Sequence, residues 1–416
     1  MLVLRALLGL AAFCLFAWFL SSHRRRFPWR IVIGGLALQL ALGLWTLTTD
    51  SGRAFFGGMA DFVRNLIARN EAGAGLVFGP LADPGQTIGV WGEGEVVFAF
   101  ASSGLIAIVF FSALLAVLYH LGVMQVLVWL MARVLRRVMG VSGAEAMAMS
   151  ANVFVGQTEA PLAVRPYLDK MTASELNALM TGGFATIAGS VLAIYMGFVG
   201  EALAPHLLTA SVMSAPAAFV MAKIMLPETE APATAGMPAL RVERQATNVL
   251  EAAAVGTMEG GKLFLTVAFM LVAFTGLVSV VDWPLERLGT SLSAIFGWLF
   301  APVAWVMGVE GWHDCQVFGS MLGFKVAVNE FVAFAQLEGV LALAPADGGF
   351  VHERSKAMVA YALCGFANFA SIGIQIGGIS TLVPARRTEL SKLALRAMIG
   401  GACASWMTAT VAGMFV

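Results

Sequence analysis

Five stretches of the chain, Leu2 to Leu20, Ile31 to Leu47, Val96 to Leu118, Leu263 to Val281 and Ala397 to Val416, are apolar over lengths at or near the ~20 residues a helix needs to cross a bilayer. This feature constrains the fold most, because backbone in hydrocarbon must satisfy its own hydrogen bonds and only helices and closed barrels do so. Composition points the same way. Charged residues are 12% of the 416, against about 25% in a soluble chain, and mean hydropathy is +0.84. The 25 basic and 25 acidic residues cancel, which gives no ground for nucleic-acid binding. Cys14, Cys315, Cys364 and Cys403 are far apart, have no metal spacing and read as packing residues. The first run is long and is followed by HRRR with no small-residue cleavage site, so it reads as a retained span.

Basic residues set the expected orientation. Arg24, Arg25, Arg26 and Arg30 follow the first span, and Arg133, Arg136 and Arg137 follow the third. Arg241 and Arg244 lie in a polar segment, and Arg386, Arg387, Lys392 and Arg396 precede the last span. All four clusters reach the cytoplasm only if both termini are outside and segments 143–171 and 289–345 each enter and leave on one side. That parity is a first sign of re-entrant hairpins.

The chain also looks doubled. NVFVGQTEAP followed by TGGFATIAGS has a counterpart in GFKVAVNEFVAF followed by CGFANFASIGI. Each half carries an acid, Glu159 or Glu330, in an interrupted apolar run, and then Gly-Phe-Ala before a polar residue, Thr186 or Asn368. Two such units of opposite topology are the usual build of a secondary transporter, with the site at the interruptions. The expected division is scaffold helices and an outer interfacial helix over 1–125, a first repeat over 126–226, a cytoplasmic linker over 227–256, a scaffold span over 257–288 and a second repeat over 289–416.

Gln157, Thr158 and Glu159 sit between Gly156 and Pro161, so the helix is expected to break there. An ionised carboxylate at mid-membrane costs at least ~3 kcal/mol, which marks it as functional or paired. A plain structural account pairs Glu159 with Arg165 and Glu330 with Lys325. Asn368 and Ser371 share one helical face, although Ser371 alone is equally a close-packing residue. Asn152 and Thr186 bring an amide and a hydroxyl near freed carbonyls, neutral oxygens that suit a small hard cation. Taken singly, they are equally a helix cap and a back-bonded hydroxyl. His23, His120, His206, His313 and His352 are scattered, with no HExxH and no paired nucleophile, so nothing points to an enzyme. Polarity confined to two breaks suits a binding site rather than a channel.

GQTEAPLAVRPYLDKM, TGGFATIAGSVLAIY, VNEFVAF and CGFANFASIGI, with LVFGPL and FFSALLAVLYHLGVMQ before them, resemble the signature blocks of the concentrative nucleoside transporters. The resemblance runs from about residue 75 to the C-terminus. It implies an all-α integral membrane protein with about eight transmembrane helices and two opposed re-entrant hairpins in an inverted repeat. It further implies a homotrimer in the bacterial inner membrane that imports nucleosides such as uridine, cytidine or adenosine with sodium, by an elevator-like movement. Proton coupling is the alternative. Carried over by the resemblance, Gln157, Thr158, Glu159 and Val191 hold the base, Glu330, Asn368 and Ser371 the ribose, and Phe366 packs on the nucleoside. Asn152, Thr186 and the carbonyls of Val155 and Ile187 hold the sodium ion; Thr186 stands where the family more often has Ser. GVEGWHDCQVFG departs from a Pro-containing turn expected within the second hairpin, and His313 and Asp314 are read as solvating that turn.

Overall fold

Glycines, prolines and capping side chains cut the apolar chain into fifteen α-helices, and no strand occurs, among the residues that the computed structural model describes, 2–82, 105–236 and 246–416. Two of the expectations fall outside them: the start of the third apolar run at 96–104, and Arg241 with Arg244.

The two opening spans are α1 (Leu2–Phe19) and α2 (Trp29–Thr48). Thr49 then caps α3 (Asp50–Phe78), its hydroxyl accepting from Gly52 N at 3.1 Å. From there to the C-terminus one series of elements is used twice. In the first round, α4 (Ala107–Leu121) turns through 76° at Gly122 into α5 (Val123–Met139). The glycine adopts φ 89°, a conformation that costs other residues dearly. Then come α6 (Gly143–Asn152), a break, the 3-10 segment Ala160–Lys170, α7 (Ala173–Ala185), a second break, and α8 (Gly189–Met225), interrupted at Gly200. In the second round, α9 (Val249–Arg287) leads to α10 (Leu292–Met307), which turns through 111° into α11 (Trp312–Ala327). Beyond a break come α12 (Glu330–Ala342), α13 (Glu353–Leu363), another break, α14 (Phe369–Leu382) and α15 (Arg387–Ala412).

Three details differ from the sequence expectations. Helix α9 already begins at Val249, because Asn248 caps it by accepting from Glu251 N at 2.9 Å, so the end of the expected 227–256 linker is helical. The GVEGWHDCQVFG stretch is the corner between α10 and α11, whereas the break that carries Glu330 lies between α11 and α12, at Val328 and Asn329. Nor do His313 and Asp314 solvate a turn. Asp314 is fully buried and accepts from the amides of Val351 (2.9 Å) and His352 (3.1 Å) and from His352 Nδ1 (3.0 Å). His313 Nε2 meets Gly349 O at 2.9 Å, so this corner is bolted to the loop before α13.

Helices α7 and α13 and the latter parts of α8 and α15 are almost wholly buried, while α1, α9 and α10 present large apolar side chains outward, among them Phe269, Val272, Trp283, Trp298 and Leu299. Contiguous exposed hydrocarbon of this extent belongs against lipid. Gly256 and Gly260 let α9 lie on α4: a Cβ at either would approach Ser112 atoms to within 2.7 Å. Close approach through small residues is how helices pack where no hydrophobic effect separates them from the solvent.

The two halves cross at their breaks. Gly365, at φ +112°, lies just beyond α13, and a Cβ there would sit 2.6 Å from Phe184 O and 2.8 Å from Ala185 C at the end of α7. Both strain and collision therefore bar a side chain. Gly365→Ala should lower stability by roughly 1–3 kcal/mol, visible as a lower thermal midpoint in detergent. Gly373→Ala on α14, where a Cβ meets nothing within 4 Å, is the neutral control.

Candidate functional site

The first break has its anchor in a capping box: Ser142 and Glu145 satisfy each other's backbone amides at the start of α6 (2.7 and 3.3 Å). Thr172 and Glu175 repeat the motif at the start of α7 (2.9 and 3.0 Å), and Ser142 Oγ donates to Glu175, tying the two boxes together. Lys223 from α8 completes the anchor, with Nζ 2.6 Å from Glu145 Oε2 and 3.0 Å from Ser174 Oγ. From this base α6 rises to Asn152, and residues 153–159 turn back into the 3-10 segment, where Pro161 and Pro166 lack the amides that an α-helix needs.

Gln157, Thr158, Glu159 and Val191 from the first half, and Glu330, Phe366, Asn368 and Ser371 from the second, all line a single cavity of about 150 Å³. Thus all eight expected substrate contacts, drawn from both halves of the chain, share one chamber. Neither acid forms the structural ion pair that the sequence left open. Among the described residues no basic side chain lies within ion-pair distance of Glu159 or Glu330. Arg165 is exposed, and Lys325 donates instead to the carbonyls of Ala362 and Cys364 and to Ser405 Oγ.

Glu330 is held on both oxygens, by Tyr195 OH at 3.0 Å and by Asn368 Nδ2 at 2.7 Å. Asn368 also caps α14, its Oδ1 accepting from Ser371 N at 2.8 Å, just as Asn329 caps α12 through Val332 N at 2.8 Å. Both amides are thereby fixed, and the remaining lone pairs of Glu330 stay free to accept. The Ser371 hydroxyl has no hydrogen bond among the described residues. Among the described residues Gln157 Oε1 is buried without a partner, and Glu159 accepts only from Gly156 N, at 3.3 Å. Thr158 packs over Gly378 of α14, where a Cβ would come within 2.8 Å of its methyl group. A second cavity, of about 120 Å³, shares Glu159 and Ser190 with the first and runs past Tyr119, His120 and Glu259.

The proposed cation ligands adjoin the same break. Thr186 Oγ1 lies 2.8 Å from Asn152 O and 2.9 Å from Gly182 O, so the back-bonded hydroxyl and the proximity to Asn152 coexist. Asn152 Nδ2 donates to Leu179 O at 3.3 Å, which leaves Oδ1 buried and unpartnered. The carbonyls of Val155 and Ile187 accept no hydrogen bond among the described residues. These are neutral oxygens short of a positive partner, and no cluster of three or more His, Cys, Asp or Glu occurs among the described residues. The donor set fits a small hard monovalent cation.

Tyr195 is the residue the sequence did not single out. It lies one helical turn beyond Val191 on the same face, and its hydroxyl is the only polar side-chain group on that turn. Its ring stacks on Phe334 at 4.4 Å and meets Phe331 edge-on at 5.6 Å. Helix α9 adds a further wall of Leu263, Thr266, Val267, Met270 and Leu271, which carried no distinguishing pattern.

Comparison with known proteins places these features in a family. Residues 206–413 match the description of the Na+ dependent nucleoside transporter C-terminus, 8–81 that of its N-terminus, and 102–202 that of a nucleoside recognition (gate) domain. An uncharacterized transporter of Haemophilus influenzae is 43% identical over 100% of this chain and 98% of its own length. Sodium/nucleoside cotransporter 1 of Mus musculus is 38% identical over 98% of the chain, which spans 63% of that longer protein. The structure of CNTnw in an inward-facing substrate-bound state superposes with a TM-score of 0.92 at 40% identity, covering 100% of this chain and 99% of that one. Replacing Tyr195 by Phe keeps the stack and strips one donor from a buried carboxylate. Hydrogen bonds to charged groups are worth about 1.5–3 kcal/mol, so nucleoside binding measured by calorimetry should weaken roughly ten- to a hundredfold. Unchanged affinity would show that Glu330 does not depend on Tyr195.

Proposed function

Because this chain belongs to the Na+ dependent nucleoside transporter family, we propose that it is a sodium-coupled nucleoside symporter and that its residues divide that work as follows. Gln157, Thr158 and Glu159, with Val191, read the nucleobase; Glu330, Asn368 and Ser371 read the ribose, and Phe366 packs against the nucleoside. Asn152, Thr186 and the carbonyls of Val155 and Ile187 hold the sodium ion. One observation carries this assignment: the eight substrate residues line a single cavity, and the cation oxygens lie where the hairpin break at 153–159 meets the break at 186–188, joined by Thr186 Oγ1 to Asn152 O.

The chemistry supports each half. An amide beside a carboxylate offers a donor and several acceptors to the polar edge of a base. A carboxylate already oriented by two donors accepts from vicinal hydroxyls in charge-assisted hydrogen bonds, and leaves no buried partner unsatisfied. Coupling arises from chain connectivity. Only Gly156 separates Val155 from Gln157, so an ion that orders residues 152–155 also sets the base-reading side chains. Such coupling is reciprocal: whatever factor sodium adds to nucleoside affinity, nucleoside adds to sodium affinity.

The protein works, in this proposal, as a homotrimer in the bacterial inner membrane with both termini outside, importing uridine, cytidine or adenosine by an elevator-like displacement of the repeats. The test is nucleoside affinity across a sodium titration at fixed pH in proteoliposomes. Sodium should raise affinity, and Thr186→Ala should shift the sodium requirement upward about tenfold while leaving binding at saturating sodium. Uptake that tracks the pH gradient with affinity unmoved by sodium would instead establish proton coupling.

A further inference from the structure

Lys325 leaves α11 five residues before Glu330, and its ammonium is completely buried. It donates to Ala362 O at 2.8 Å, Cys364 O at 3.1 Å and Ser405 Oγ at 2.7 Å, which uses all three of its protons. The two carbonyls end α13, where the helix macrodipole concentrates negative charge and attracts a cation. The chain then runs through the break to Asn368, whose amide holds Glu330.

Matching Gly183-Phe184-Ala185-Thr186 to Gly365-Phe366-Ala367-Asn368 pairs Ala362 and Cys364 with Met180 and Gly182. Among the described residues those two carbonyls, in the last turns of α7, receive neutral side-chain donors, Gln375 Nε2 on Met180 O at 2.9 Å and Thr186 Oγ1 on Gly182 O at 2.9 Å, the latter joined by Thr186 N at 3.1 Å. The first half thus ends a helix at its break with no fixed positive charge, and beside it lie the unpartnered Asn152 Oδ1 and the open carbonyls of Val155 and Ile187.

We propose that Lys325 is a tethered cation, which does permanently for the break at 364–368 what a mobile sodium ion does for the break at 186–188. The Glu330–Asn368–Ser371 side of the cavity therefore stays formed when sodium is absent. Lys325 is a positioning residue: it acts through the backbone that carries Asn368, not by touching cargo. The proposal rests on the assignment of sodium to the first break, and one experiment separates the two.

Hydrogen–deuterium exchange of the full-length protein in detergent, with sodium replaced by choline, reports on both breaks. Sodium removal should raise exchange severalfold at 152–159 and 186–190 and leave 362–371 protected; loss of protection at 362–371 in the wild-type protein would overturn the proposal without any variant. Lys325→Met keeps the stem and removes the charge. It should deprotect 362–371 at every sodium concentration and weaken uridine binding about tenfold, and wild-type protection there would also overturn the proposal. In Lys325→Ala, added ethylammonium should restore protection, whereas a packing role would be restored by Met and not by ethylammonium. Indifference of 152–159 to sodium, with 362–371 still dependent on Lys325, would reject the sodium site and uphold the tethered cation.

Discussion

The centre of this molecule depends on backbone that leaves the helix in the middle of hydrocarbon and still finds hydrogen-bond partners. Side chains from elsewhere in the chain supply partners at several of these interruptions. Gln375 of α14 reaches back to Met180 at the end of α7, Lys325 of α11 reaches the end of α13, and Thr186 bonds to the first hairpin at Asn152. An unsatisfied peptide group in this setting costs several kcal/mol, so these few contacts decide whether the broken segments exist at all. Gly365 then lets the two broken helices touch backbone to backbone, which brings residues from the two halves to one chamber.

Charge placement obeys the same constraint. Glu330 has two fixed donors on elements from both halves, so its carboxylate is both satisfied and aimed. Glu159 has a single long contact to Gly156 N and borders both cavities. The better-held acid belongs to a rigid frame, and the less-held acid sits on the segment whose neighbouring oxygens lack partners. Away from the chamber, the Lys223–Glu145 pair and the linked capping boxes root the first hairpin, so the adaptable part is confined to the few residues of its tip.

Much of this is legible in the sequence because breaks in membrane helices leave local marks. Gly156 and Pro161 bracket Gln157 to Glu159, and Asn329 precedes Glu330 as a helix cap, so both interruptions are visible from composition and spacing. The eight lining residues come from family blocks, and the cavity gathers every one of them. What escapes is long-range. Tyr195 acquires its role only from Glu330, 135 positions away, and Lys325 has Glu330 as its nearest acid in sequence although its acceptors lie 37 to 80 positions on. Asp314 has the local look of a solvated turn residue, since nothing nearby announces that the amides of Val351 and His352 will fold over it. Single-residue polarity signals burial or exposure; it does not name the partner.

The wall that α9 contributes has a mechanical consequence. Four of its five lining residues, Leu263, Val267, Met270 and Leu271, are hydrocarbon or thioether, and the hydroxyl of the fifth, Thr266, is spent on Lys262 O at 2.8 Å. Such a surface makes only non-directional contacts, equally good at many offsets. In the proposed displacement of the repeats, cargo slides along this wall as along a greased rail, because no bond to it has to be broken before the next position is reached.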